Sequence, residues 1–561
     1  MVVGRGVHRL CDRFVEEYAA ADPVMASLFG IVGHEDRLTD YSPDGHACRL
    51  DTARGFLAAM RATTPRDDSE RVAKAVFCER VGLEVELHEA GLRSSALNVI
   101  SSPVQDIRMV FDLMATETAA DWAVIGTRLS RVAHTLAGLR SALLASAEHG
   151  RTPALRQITR VAEQADDWAG GPGGTGFFST FVVAAESVAD APRAELRKFA
   201  RAADRAYGDL ATFLRTELAP RAPVADAVGE QTYRLWSRYF TGADIDPREA
   251  CAWGWSEFSA IRAELLAVAD RIAPGASLAD TAAALDADPR YQVHGLDAFQ
   301  AWLQHTSDRA LESLRGEHFE IPEEIAALEC AIAPPGGTVG AYYLGPSEDL
   351  RRPGRMFWSV EHGKEHFATW RERSTVYHEG VPGHHLQIAT VVRAGDSLNK
   401  YQRMMSFVDG HGEGWALYAE RLMQELGNLD DDGDLFGMLS QQLFRAARVI
   451  VDIGMHLELP IPAGTGFHEG RRWTPELGLE FLLTQTMLDP AEARDEIDRY
   501  LGWPGQAPAY KLGERRWLQA REQARRRAGA AFDLKDFHTR ALRMGGMGLD
   551  TLSRQLAAGA D

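Results

Sequence analysis

The chain has 561 residues, of which 45% are hydrophobic and 25% charged, and a formal net charge of −19. That length buries a large core and has room for more than one compact unit. The acidic balance leaves no basic surplus to neutralise phosphates, which argues against nucleic acid or an anionic membrane surface as partners.

The N-terminal stretch MVVGRGVHRLCDRFVEEY lacks an apolar run followed by a small-residue cleavage site. No uninterrupted apolar run of about 18 residues occurs further on, so no membrane span is expected. Cys11, Cys48, Cys78, Cys251 and Cys330 are widely spaced, form no C-x-x-C pair, and read as thiols of a reducing compartment. A cytoplasmic location is the resulting expectation.

Apolar residues recur at three- and four-residue spacing over 106–147 and again over 189–218, predicting helices. Two glycine-rich breaks follow, AGGPGGTGFF at 169–178 and APPGGTVG at 333–340. The second divides an expected N-terminal helical region, 1–332, forming a cleft wall, from a metal-binding region, 333–561. Just beyond it, VGAYYLGP and RMFWSV are short, aromatic and β-branched, and read as strands around the turn-rich SEDLRRPG. Arg351, Arg352 and Arg355 in this segment are candidates to hold a substrate carboxylate, with a solvated turn as the plainer alternative. A helical pattern resumes near Thr369 and continues to the end. The fold class expected is mainly α: a large multi-helical protein with a small β element beside its chemistry.

That chemistry gathers in YHEGVPGHHLQ, at 377–387. In H-E-x-x-H zinc hydrolases, two histidines one helical turn apart face one ion, and the intervening glutamate is general base. His378 and Glu379 fit the first half, but the next ligand position is Pro382, which cannot bind a metal. On an unbroken helix His385 would stand about 10.5 Å along the axis, too far for a shared ion, and His384 would point away. Pro382 and Gly383 predict a break that returns one of these two histidines to His378. The third ligand expected is Glu413, in HGEGWALYAERL at 411–422. Glu420, seven residues on and near the same helix face, is placed to support a ligand histidine.

YHEGVPGHHLQ, EGWALYAE, PGQAPAYKLGERRWL (504–518) and FDLKDFHTRAL (532–542) together resemble the bacterial family known as domain of unknown function 885. GEQTYRLWSRYF (229–240) and RAARVIVDIGMH (445–456) extend the resemblance, which spans at least 229–545. It implies a mostly helical, gluzincin-like metallopeptidase. Thimet-oligopeptidase-like enzymes are similar more distantly: Glu413 and Glu420 reproduce the spacing of two glutamates in their E-A-P-S-Q-M-L-E segment. Gly383-His384 resembles the G-H of their H-E-F-G-H motif, which favours His384 over His385.

For the developing oxyanion, PGQAPAYKLG supplies Tyr510 and Lys511, with Tyr510 the chosen donor. His456 is a second candidate, oriented by Asp452 one helical turn before it, its alternative being a core histidine. The expected reaction is hydrolysis of a small peptide or peptide-like amide at one Zn²⁺, with Glu379 moving the proton. The rivals are an amidase of specialised metabolism and a catalytically silent binding protein.

Overall fold

The computed structural model describes residues 6–333 and 340–558. The chain divides into two compact units, Met1–Val228 with Asp495–Trp503, and Gly229–Arg494 with Pro504–Asp561. Residues 334–339, the heart of the expected boundary APPGGTVG, lie outside the described residues. Residues 229–332 belong to the same unit as the metal-binding segment, so the division falls at 228/229 rather than at 332/333.

The first unit is helical. Its axis is the helix Arg193–Phe213, which buries Leu196, Ala200, Ala203, Tyr207 and Leu210, an alternation of four and three that lines up one face. Against it lies Leu155–Ala169, burying Ile158, Val161, Ala162 and Ala165. Each large apolar side chain removed from water in this way stabilises by roughly 1.5–3 kcal/mol. The predicted helical stretch 106–147 is divided among Pro103–Met109, Ala119–Leu129 and Val132–Glu148. Thr118 starts the middle one with a capping box: its hydroxyl accepts from the Asp121 N–H, and the Asp121 carboxylate accepts from the Thr118 N–H.

The second unit carries both strands and helices. Strands β1 (Gln292–His294) and β5 (His366–Ala368) form an antiparallel pair. Strands β2 (Leu328–Ile332), β4 (Gly354–Trp358) and β3 (Ala341–Leu344) form a second sheet in that order. β4 is central, parallel to β2 and antiparallel to β3, with Ala341 opposite Trp358. β3 is therefore an edge.

Seven helices matter for the site: α1 (Pro247–Ile272), α2 (Leu296–Leu314), α3 (Thr369–Glu379), α4 (His384–Arg393), α5 (Asp409–Glu425), α6 (Asp432–Leu457) and α7 (Ala509–Ala528). Met356 and Trp358 of β4 turn inward onto Phe299 and Leu303 of α2 and Val376 of α3. This cluster seats the last turn of α3 two residues before His378. α6, 26 residues long and buried nearly all round, is the axis on which α1 and α3 pack.

α5 and α7 touch backbone to backbone. A Cβ on Gly414 would lie 2.4 Å from the Gly513 carbonyl carbon, and one on Gly513 would lie 2.0 Å from the Gly410 oxygen. Only glycine permits that approach, and it brings the turn bearing Glu413 beside the turn bearing Tyr510.

Candidate metal centre

The helix bearing His378 stops where proline chemistry requires. α3 ends at Glu379, Gly380 to Gly383 form a turn containing the cis Val381–Pro382 bond, and α4 restarts at His384. The Gly383 N–H returns to the Tyr377 carbonyl (3.1 Å), and the His385 N–H to that of Gly380 (3.2 Å). A Cβ on Gly383 would stand 1.9 Å from the His378 carbonyl oxygen, so this fold-back needs glycine. Trp415, wholly buried two residues after Glu413, donates its indole N–H to the carbonyls of Pro382 (2.8 Å) and Gly383 (3.2 Å). The turn that returns the second histidine is thereby fastened to the helix that carries the carboxylate.

The result is a convergence of three side chains. His378 Nε2 and His384 Nε2 lie 3.3 and 3.4 Å from Glu413 Oε2, with the two rings at right angles and 4.8 Å apart. One ligand atom from each of the three lies within 4.8 Å of the others, a group that can hold a metal ion. Glu413 Oε2 is buried without a hydrogen-bond partner, an arrangement costly for a carboxylate unless a cation faces it. Burial raises the Glu413 carboxyl pKa, but the adjoining His384 and His378 outweigh it and hold the group well below the usual carboxylate range.

Behind His378 runs a buried polar chain. His378 Nδ1 donates to Glu420 Oε1 (2.8 Å), which fixes the ring's orientation and leaves Nε2 turned to Glu413. Glu420 Oε2 accepts from Gln442 Nε2 (3.0 Å), and Gln442 Oε1 accepts from Lys511 Nζ (2.8 Å). Lys511 is paired with Glu514 and with Glu257 (3.0 Å). Burial lowers the His378 pKa, yet Glu413 and Glu420 together raise it to about 10.

A cavity of about 320 Å³ opens onto this group. Its wall includes Glu379, Tyr510 and Arg445 as well as Tyr342 and Tyr343 of the edge strand β3. Burial raises the Glu379 pKa; His384 and His378 pull it back, Glu413 adds to the rise, and the Arg445 charge opposes it. Tyr510 packs under two guanidinium groups, with Arg448 Cζ 4.8 Å and Arg445 Cζ 5.6 Å from its ring centre.

His378, His384, Glu413, Glu379 and Tyr510 are thus brought together, and Glu420 stands where a supporting carboxylate was expected. His385 is not. Its Nε2–H donates to the Ile325 carbonyl (2.8 Å) and its Nδ1 accepts from the Tyr343 hydroxyl (2.9 Å). With both nitrogens so engaged, and burial pushing its pKa down to about 4, His385 is a neutral structural residue. His456 is not brought in either. It is fully buried with its ring 5.7 Å from that of Tyr233, and it is not part of the cavity wall. Asp452, expected to orient it, accepts from the Tyr233 hydroxyl (2.6 Å) and the Gly505 N–H (3.1 Å). Lys511 lies behind the site rather than in it.

The three arginines near β3 also stay away from the cavity. Arg355 pairs with Glu329 (2.6 Å), Arg352 donates to the Gly345 carbonyl (2.8 Å), and Arg351 is 90% exposed. The guanidinium on the cavity wall is Arg445, which sequence reasoning missed. Its signal was available: Arg445 and Arg448 interrupt an otherwise apolar run, and a charge there needs a partner or a purpose.

The model of the family described as "Bacterial protein of unknown function (DUF885)" matches residues 23–556. No curated protein matches the chain. Among solved structures, the chain is similar to the putative lipoprotein from Colwellia psychrerythraea, with 21% identity and a TM-score of 0.84 over 98% of each chain. It is also similar to a putative lipoprotein of unknown function from Shewanella oneidensis, with 16% identity and a TM-score of 0.75 over 98% of this chain and 100% of that one. The cytoplasmic location expected from the sequence is overturned by this finding, since both structural neighbours are described as lipoproteins. Among the described residues no helix is long and apolar enough to cross a membrane. With a family model matched over nearly its whole length, the chain belongs to the bacterial protein family of unknown function DUF885.

Proposed function

We propose that this chain is a zinc-dependent hydrolase that cleaves amide bonds in small peptides or peptide-like substrates. The observation that carries the reading is the meeting of His378, His384 and Glu413 with a fourth group, Glu379, on one cavity wall. Two imidazoles and a carboxylate are the donor set that suits zinc, and Glu420 sets the ring of His378 as metal-binding histidines usually require. Zinc bound there supplies a Lewis acid that polarises an amide carbonyl and acidifies water.

The remaining work falls to the chain itself. Glu379, its pKa raised by burial, takes the proton of the attacking water and passes it to the leaving nitrogen. Tyr510 offers a phenolic O–H to the oxygen on which negative charge develops. Among the described residues β3 pairs on one side only, with β4, and its other side offers backbone groups along which an extended substrate can lie. The cavity volume is at the low end of the roughly 300–1,000 Å³ typical of ligand pockets, which favours a small substrate.

Hydrolysis of a panel of short peptides and N-acylamino acids by zinc-loaded protein, beside the Glu379→Gln variant, tests the reading. The variant is expected to keep its zinc and lose on the order of 10²–10⁴-fold in kcat. Zinc retained with no turnover of any member of the panel, or turnover indifferent to Glu379→Gln, would instead favour a binding protein.

A further inference from the structure

We propose that Arg445 is the specificity determinant of this cavity, pairing with a carboxylate on the residue that adjoins the scissile amide. The inference rests on the hydrolase reading above and goes on to name the substrate class.

Among the described residues, Arg445 is the one guanidinium on the cavity wall, which is otherwise made of the ligand group, Glu379, tyrosines and apolar side chains. α6 projects it there from a helix that is buried along most of its length, polar side chains such as Gln442, Arg448 and Asp452 included, and among these Arg445 is the one that reaches the cavity wall. Its head is held in place: Nη1 donates to Gln441 Oε1 (3.1 Å), and Cζ lies 5.0 Å from the Phe444 ring centre and 5.6 Å from that of Tyr510. A planar guanidinium steadied on aromatic faces is the form that recognises carboxylates in bidentate geometry. With a divalent cation on the histidines, the wall's fixed charge is net positive, since Glu379 and Glu413 are its carboxylates and Arg445 adds a cation. An anionic substrate is therefore drawn in.

Size sets the distance. Arg445 lines the same cavity of about 320 Å³ as the ligand group, and its charge acts on Glu379, so the carboxylate is placed on the residue next to the bond that breaks. In that step a water oxygen bonds to the amide carbon, the C–N bond breaks, and Glu379 carries the water's proton to the nitrogen. The products are a carboxylic acid and an amine whose own carboxylate remains on Arg445. That carboxylate has two sources, a free C-terminus or an acidic side chain.

Calorimetric binding to the zinc-loaded Glu379→Gln protein, in which turnover is expected to be slowed, separates these sources. The probes are acetyl-Ala-Ala, acetyl-Ala-Ala amide and acetyl-Ala-Glu amide. At least one carboxylate-bearing probe is expected to bind about tenfold or more tighter than the Ala-Ala amide, a difference of about 1.4 kcal/mol. Preference for acetyl-Ala-Ala identifies the C-terminus as the source, and preference for the Glu amide identifies the side chain. Arg445→Gln is expected to abolish the preference with zinc content unchanged, and Arg445→Lys to retain part of it. Equal binding of all three probes to the Arg445 protein overturns the proposal without any need for the variants, as does a preference that survives Arg445→Gln. A preference that stands while zinc-loaded wild-type protein hydrolyses nothing would sink the hydrolase reading and leave the anchor in place.

Discussion

Two neighbouring histidines show how local hydrogen bonding decides what an imidazole does. His384 and His385 follow one another, yet His385 spends both nitrogens on Ile325 and Tyr343, whereas His384 turns Nε2 to Glu413. His378 is committed to the same point because Glu420 occupies its other nitrogen. Removing that support by Glu420→Ala leaves the ring free to rotate or change tautomer and strands Gln442. Zinc affinity, measured by competition with a chelator, is expected to fall about 10–100-fold. An unchanged affinity would show that Glu420 fills space and does not tune the ligand. The ligand types and their order were legible at this scale. The choice between the two histidines was not, because it depends on a carbonyl and a hydroxyl that come from Ile325 and Tyr343, far away in sequence.

At the scale of elements, the site exists because a helix is interrupted. Pro382 and Gly383 were legible as a break, since proline cannot continue the turn and glycine permits a close return. What the sequence did not reveal is how close that return is, with the Gly383 Cα packed on the His378 carbonyl. Gly383→Ala is therefore expected to push the two helices apart, costing about 1–3 kcal/mol in urea denaturation and lowering zinc affinity with it. Wild-type stability and zinc binding in this variant would contradict the fold-back as the device that joins the ligands. Strands β3 and β4 were readable from aromatic and β-branched runs on either side of a turn. Parallel β2 was not, because its pairing partner arrives 22 residues after its end and leaves no local trace. The glycine contact between α5 and α7 was equally hidden: each glycine alone looks like a flaw in a helix, and only the facing pair shows why it is there.

For the whole molecule, composition fixed the class and little more. A mainly helical fold followed from the periodic apolar faces, and the family from motifs scattered between 229 and 545, with the match extending over 23–556. The division into units followed no such signal. A glycine-rich segment drew the expected boundary to 332/333, whereas the first unit ends at Val228, in a stretch of small and polar residues with less contrast. The inference of location from cysteine spacing failed because free thiols, three of them buried, are compatible with more than one compartment, and the structural neighbours described as putative lipoproteins overturn it.

The central claim is that one zinc ion is held by His378, His384 and Glu413. Anomalous diffraction at the zinc edge from crystals of the full chain grown with zinc tests it most directly. The account predicts one strong peak about 2.0–2.2 Å from His378 Nε2, His384 Nε2 and a Glu413 oxygen. Density on other residues, or none between these three in zinc-saturated crystals, would contradict it.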